Sequence, residues 1–265
     1  MTEPPRRFDL HAAGHRLEAA WWGPPAEDAP TLVLLHEGLG SVGLWRGFPA
    51  RLAAATGCGV FAWSRAGYGR SDGNPPPWPL DYMKIEAADR LAPVLAAAGV
   101  GRCVLVGHSD GGTIAACYAG THDDPRVRGL VLLAPHFLVE DICVTAIAAT
   151  RERYRSGDLR ARLARHHDHV DDAFGGWCGA WLDPGFRAFD ILAESAGIRV
   201  PALMIQGLAD PYGTVAQVAA AERAMAPHLT ALTLPGVGHS PHLEAEDATL
   251  AAIGAFLKRA GLAAP

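Results

Sequence analysis

The chain reads as an α/β protein, a parallel sheet covered by helices, on three observations. Short continuous apolar runs recur along it, and helix-forming stretches separate them from about Thr31 to Gly101. The run Cys103-Val104-Leu105-Val106 ends in a serine turn flanked by glycine, Gly107-His108-Ser109-Asp110-Gly111, that opens a helix. Strands of a parallel sheet are buried on both faces, which favours unbroken apolar runs.

The elements follow in order. Phe8–His11 and Leu17–Trp22 predict an antiparallel edge hairpin. Leu32–Leu35, Val60–Trp63, Cys103–Val106, Gly129–Leu133, Ala202–Ile205 and Leu229–Leu234 are the candidate inner strands. The last alternates Leu229, Ala231 and Thr233 with Thr230, Leu232 and Leu234, as an edge strand does. Asp81–Ala98 predicts an amphipathic helix and Asp247–Arg259 a C-terminal one. Thr113, Ala115, Ala116, Ala119 and Gly120 give the helix after Ser109 a small-residue face that allows close packing on the sheet. From His136 to Arg199 the pattern breaks: helix formers and the arginines 151, 153, 155, 160 and 162 replace the buried runs. The strand pattern resumes at Val200-Pro201-Ala202. Residues 1–135 and 200–265 are therefore expected to form one core, and residues 136–199 a helical cap inserted into it.

Composition excludes several classes. Of 265 residues, 49% are hydrophobic and 19% charged, ample for a core and unlike a disordered chain. With 23 basic against 28 acidic residues the net charge is −5, which argues against nucleic acid as a partner. Cys58, Cys103, Cys117, Cys143 and Cys178 are odd in number, scattered, and form no C-x-x-C pair, so they fit a reducing compartment. Met1 to Arg7 leads into no apolar segment, and no run approaches the length of a membrane span. A cytoplasmic protein with no membrane partner is expected; nothing in the pattern specifies an oligomeric state.

A serine hydroxyl attacks a carbonyl only when a base takes its proton, and the base needs an acid to hold its tautomer. Glycines on both sides of Ser109 allow the sharp turn that lifts its hydroxyl clear of the sheet; the alternative is an ordinary strand–turn–helix. Asp210 follows the strand Ala202–Ile205, in a loop where it could equally be a turn residue. His239, between Gly238 and Ser240, follows the strand ending near Leu234. The order serine, aspartate, histidine at successive strand ends is what makes the three one candidate triad. Donors for the developing oxyanion are expected from the Asp110 amide and from the loop His36-Glu37-Gly38-Leu39-Gly40, with Gly38 first and Glu37 or Leu39 as alternative registers.

On His36–Gly40, Ser64-Arg65-Ala66-Gly67-Tyr68-Gly69-Arg70-Ser71-Asp72, the Ser109 turn, Gly207 to Asp210 and Gly238-His239, the chain resembles the α/β-hydrolase superfamily over nearly its whole length. The resemblance implies an eight-stranded, mostly parallel sheet with a helical cap after the sixth strand. It also implies a serine hydrolase that needs no cofactor. One departure is His36-Glu37-Gly38, where many members carry His-Gly. Members that open epoxides or displace halide carry aspartate at the turn, so Ser109 argues against both reactions. The expected reaction is hydrolysis of a small to medium carboxylic ester through an acyl-enzyme. Thioester, amide and carbon–carbon hydrolysis use the same machinery, and a non-catalytic ligand receptor on this fold is the reading outside catalysis. Glu140 and Asp141 lie near the family's alternative acid position.

Four features could shape the pocket. Glu37 and Asp110, if they face it, favour a cationic or neutral substrate; otherwise Glu37 pairs with an arginine such as Arg65, and Asp110 bonds to loop amides. Trp177 and Trp181 share a helix face and either line the acyl pocket or pack the cap down. His166-His167-Asp168-His169, with Asp171 and Asp172, lacks the spacing of a metal site and reads as a solvated cap segment. His36 and His108 flank the candidate site as structural residues.

Overall fold

The period-two rule of strands sorts the apolar runs into two faces. Val33, Leu35, Phe61, Cys103, Leu105, Leu130, Leu132 and Met204 pack on one side, and Leu32, Leu34, Val60, Ala62, Val104, Val106, Val131 and Ile205 on the other. Each side must be covered, so helices lie on both. In the computed structural model, which describes residues 4–264, this produces one eight-stranded sheet. Met1–Glu3, the start of the segment expected to carry no leader, lie outside the described residues.

The strands are β1 (Arg6–Ala12), β2 (His15–Trp22), β3 (Thr31–Leu35), β4 (Gly59–Trp63), β5 (Cys103–His108), β6 (Val127–Leu133), β7 (Ala202–Gly207) and β8 (Leu229–Leu234). Their order in the sheet is β1-β2-β4-β3-β5-β6-β7-β8. β2 pairs antiparallel with β1 and with β4, and every later pairing is parallel. β8 is an edge, as read from sequence, and its residues are half-buried or exposed without a strict alternation.

The helices are α1 (Phe48–Thr56), α2 (Tyr82–Ile85), α3 (Leu91–Ala97), α4 (Asp110–Thr121), α5 (Asp141–Ser156), α6 (Leu159–Leu163), α7 (Val170–Leu182), α8 (Leu192–Ser195), α9 (Val215–Met225), α10 (Pro241–Glu244) and α11 (Glu246–Arg259). The single helix expected over Asp81–Ala98 is instead α2 and α3 joined by a π turn, Glu86–Arg90. Pro93 is the physical reason: it has no amide to give the preceding turn, and its ring crowds the carbonyl four residues back, so the helix widens ahead of it. α5 to α8 and the 3₁₀ turn Pro184–Ala188 all lie between β6 and β7. Within that segment α5 packs on α7, whereas α8 packs back on α4 and α9. Among the described residues no helix is long and apolar enough to cross a membrane.

Candidate active site

Ser109 sits between β5 and α4 with φ 53° and ψ −120°, a conformation that costs a residue with a Cβ on the order of 1–3 kcal/mol. The neighbours make the strain obligatory. A Cβ on Gly107 would overlap the Gly111 carbonyl, and one on Gly111 would overlap the Leu35 carbonyl of the adjoining strand. Only glycine at both positions lets helix and sheet approach this closely, which is the physical content of the G-x-S-x-G spacing. The turn is held by the Ser109 amide, which donates to the Leu133 carbonyl at 2.9 Å.

His239 and Asp210 arrive from the loops after β8 and β7. His239 Nδ1 donates to Asp210 Oδ2 at 2.8 Å, which leaves Nε2 as the nitrogen with a lone pair. Asp210 also accepts from Gln206 Nε2 at 2.9 Å and from the Tyr212 amide at 2.7 Å. Burial pushes this carboxyl up, but the bond from His239, its charge and the two further donors outweigh that and hold it below its ordinary value. The His239 carbonyl in turn accepts from His108 Nε2 at 2.8 Å, tying the histidine loop to the residue before Ser109. Ser109 and His239 line one cavity, of about 140 Å³.

The loop after β3 forms the opposite wall. Its carbonyls are pinned one after another. Arg65 Nη1 donates to the His36 carbonyl at 2.5 Å and Nη2 to the Glu37 carbonyl at 3.2 Å, while His167 Nε2 donates to the Leu39 carbonyl at 3.0 Å. The amides are left free: among the described residues no hydrogen bond uses the amide of Gly38, Leu39 or Asp110. Gly38 and Asp110 both line the cavity, as does Leu39. The ring of Trp177 lies so close to Gly38 that a Cβ there would overlap the indole.

Three expectations about neighbouring residues change. The segment 166–169 is solvated at Asp168 and His169 but not at His167, which is buried: its Nδ1 accepts from the Gly69 amide at 3.0 Å while Nε2 holds the Leu39 carbonyl. Burial, opposed by the bond to Leu39, lowers its proton affinity. Glu37 does not pair with Arg65 through its carboxylate. Arg65 takes the backbone carbonyl instead, and Glu37 Oε2 lies 3.4 Å from His108 Nδ1, with the side chain 30% exposed on the cavity. Burial raises the Glu37 carboxyl, but the His108 contact and charge more than reverse this, so it stays ionised. Among the described residues the Asp110 side chain bonds to no loop amide: Tyr82 donates its hydroxyl to Asp110 Oδ2, and Trp181 Nε1 donates to that hydroxyl at 3.0 Å. Burial raises the Asp110 carboxyl, only partly opposed by Arg65 and Tyr82.

Trp177 and Trp181 do both things expected of them, lining the cavity and packing α7 onto the core. His36 is structural: Nδ1 donates to the Glu37 carbonyl at 2.7 Å and Nε2 accepts from the Arg65 amide at 3.0 Å. Sequence reasoning missed the remaining walls of the cleft, namely His136, Cys143, Ile147, Thr150 and Tyr212. For His136 a signal existed, since it follows the end of β6 and ligand-facing residues gather at the carboxyl ends of parallel strands. Among the described residues no group of acidic, histidine or cysteine side chains is arranged to hold a metal ion.

The family model for the alpha/beta hydrolase fold matches residues 30–169, more than half of the chain. The chain therefore belongs to the α/β-hydrolase fold family. Among solved structures it is similar to the enol-lactonase from Burkholderia xenovorans, at 21% identity and a TM-score of 0.73, over 95% of this chain and 100% of that one. It is also similar to a thermophilic esterase from Thermogutta terrifontis, at 20% identity and a TM-score of 0.72, over 96% and 99% of the two chains. A third is E-2-(acetamidomethylene)succinate hydrolase, at 20% identity and a TM-score of 0.74, over 96% and 100%. At these identities the likeness is one of fold. No curated protein matches the chain.

Proposed function

We propose that this protein is a serine hydrolase that cleaves a small to medium carboxylic ester through an acyl-enzyme. Ser109 attacks the carbonyl, His239 Nε2 takes its proton, and Asp210 fixes the tautomer and stabilises the imidazolium. The Gly38 and Asp110 amides hold the oxyanion without reorganising. His239 then gives the proton to the leaving alcohol, and a water activated by the same histidine releases the acid. The observation that carries this reading is convergence. Strained Ser109, His239, Gly38 and Asp110 all line one cavity, and Asp210 takes the His239 Nδ1, which supports a triad with its oxyanion donors gathered at that cavity.

An apolar wall of Leu39, Cys143, Ile147, Trp177 and Trp181 supports an acyl group held by burial. α5 and α7 supply most of that wall, so the segment 136–199 acts as the cap that sets specificity. Five cysteines, all free and buried, fit a reducing, cytoplasmic setting. The test is labelling by a fluorophosphonate, read by mass spectrometry, beside kinetics of Ser109→Ala on a panel of esters. The label is expected on Ser109, and the substitution should cost about 10³-fold or more in kcat/KM with the fold intact. Retention of more than a tenth of the activity would reject Ser109 as nucleophile.

A further inference from the structure

His136 lies just past β6, on the wall of the cleft. Its backbone is held on both sides: the amide donates to Thr113 Oγ1 at 3.1 Å, and the carbonyl accepts from the same hydroxyl at 2.9 Å. Its side chain has no such anchor. The residue is 2% exposed, its Nδ1 is sealed from solvent, and among the described residues nothing bonds to either ring nitrogen. The imidazole is placed by ring contacts instead, edge-on to Trp181 at 5.0 Å and 5.7 Å from the His239 ring. Nε2 is unbonded too but is not sealed, so it is the nitrogen left to bond a molecule that fills the cleft.

We propose that His136 is a substrate-recognising residue, which hydrogen-bonds an uncharged polar group (a hydroxyl, keto carbonyl or amide) on the ester whose hydrolysis is proposed above. The site favours an uncharged group for two reasons. Burial, reinforced by the nearby His239 and only partly opposed by Asp210, holds the imidazole down to about 3, so it works as a neutral donor and acceptor. No lysine or arginine lines the cleft among the described residues, so nothing there would pair with a carboxylate. Glu37, ionised and half-exposed on the same cavity, repels one. A site built to hydrogen-bond a substrate group rejects the analogue that lacks it far more strongly than an apolar pocket rejects a missing methylene. The inference therefore names the substrate class: an ester bearing a second, neutral polar atom within reach of its scissile carbonyl.

Two matched ester pairs test it, one with and without a hydroxyl on the acyl side, the other with and without a hydroxyl on the alcohol side. In the wild type, one pair is expected to show a preference of about tenfold or more in kcat/KM for the hydroxylated member. His136→Phe, which keeps the ring packing on Trp181, should bring that ratio near one, and His136→Gln should restore part of it. If the wild type discriminates within neither pair, or if His136→Phe lowers both members equally, the proposal is overturned. Binding supplies a readout independent of turnover and of the variants' folding. Quenching of Trp177 and Trp181 fluorescence in the wild type should report tighter binding of a hydroxylated amide analogue than of its plain counterpart, and equal affinities overturn the proposal. Failure of the phosphonate to label Ser109 would count against the hydrolase reading instead, and leaves this titration still decisive for His136.

Discussion

Asp210 and Glu140 are both well-bonded carboxylates near the carboxyl end of the sheet, and their partners separate their tasks. Asp210 takes the His239 ring. Glu140 takes the Thr214 amide at 2.9 Å, the Thr214 hydroxyl at 2.6 Å and Gln217 Nε2 at 2.8 Å, so it is spent on anchoring the start of α9. Asp210→Asn should therefore lower kcat by about 10³–10⁴-fold, because an amide can select the wrong histidine tautomer and cannot stabilise the imidazolium. Glu140→Gln should lower the melting temperature while leaving turnover near wild type. The opposite pattern in steady-state kinetics would move the acid to Glu140. Asp110 offers a second check. Its carboxyl faces Tyr82 behind Trp181, so Asp110→Asn should slow a cationic and a matched neutral ester by the same factor; a change in their ratio would put the carboxylate in the cleft. Ser109, Asp210 and His239 were legible because glycines and strand ends mark them. The partners of Asp110, Glu37 and His167 were not, since those contacts join residues 28, 71 and 98 positions apart and no local pattern encodes them.

The loop after β3 and helix α7 work as a pair. His36, Arg65 and His167 fix the loop's carbonyls and leave the Gly38 and Leu39 amides unbonded, and Trp177 of α7 packs against Gly38. Gly38 is needed for contact with the indole rather than for backbone conformation, since its φ is not positive. Gly38→Ala should then displace the loop from Trp177 and misplace one oxyanion donor, at a cost of about 10²–10³-fold in kcat if the whole contribution is lost. Adding Trp177→Ala to the same chain should recover part of that loss by making room for the methyl. Wild-type kcat in the single variant would exclude this loop from oxyanion binding. At this level the strands and the C-terminal helix were readable to within a residue or two, because an unbroken apolar run leaves few alternatives. The π turn ahead of Pro93 was not, since an amphipathic pattern registers which face is buried and not how many residues the turn contains.

Taken as a whole, the fold encloses histidines that it can keep only in the neutral form. His36 is committed to a neutral tautomer by donating through Nδ1 and accepting through Nε2. Among the described residues the His136 ring has no polar partner, and His242 packs against Trp45 and Phe48 with Nδ1 unbonded. Burial drives the proton affinity of all three down, His136 to about 3, with Arg65 adding to the effect at His36 and His108 at His242. The unfolded chain protonates each near the ordinary histidine value of about 6.5. Below that pH the unfolded state binds more protons than the folded one, so stability falls as pH falls. Each of these histidines contributes to that loss, as does His167, whose proton affinity burial also lowers. The raised carboxyls of Asp110 and Glu86 oppose this, because the folded state takes up their protons first. The depressed carboxyls of Asp210 and Glu37 add to the loss only at lower pH, once the unfolded acids begin to protonate near about 4. Urea midpoints measured across that window should therefore drop steeply on acidification, well before any carboxylate in the unfolded chain is neutralised. His242→Phe, which keeps an aromatic ring against Trp45 and Phe48, should make the drop smaller, because one of the contributions is gone. A midpoint that stays flat from pH 7.5 to 5.5, or a drop unchanged by His242→Phe, would mean that these rings take up protons inside the fold after all.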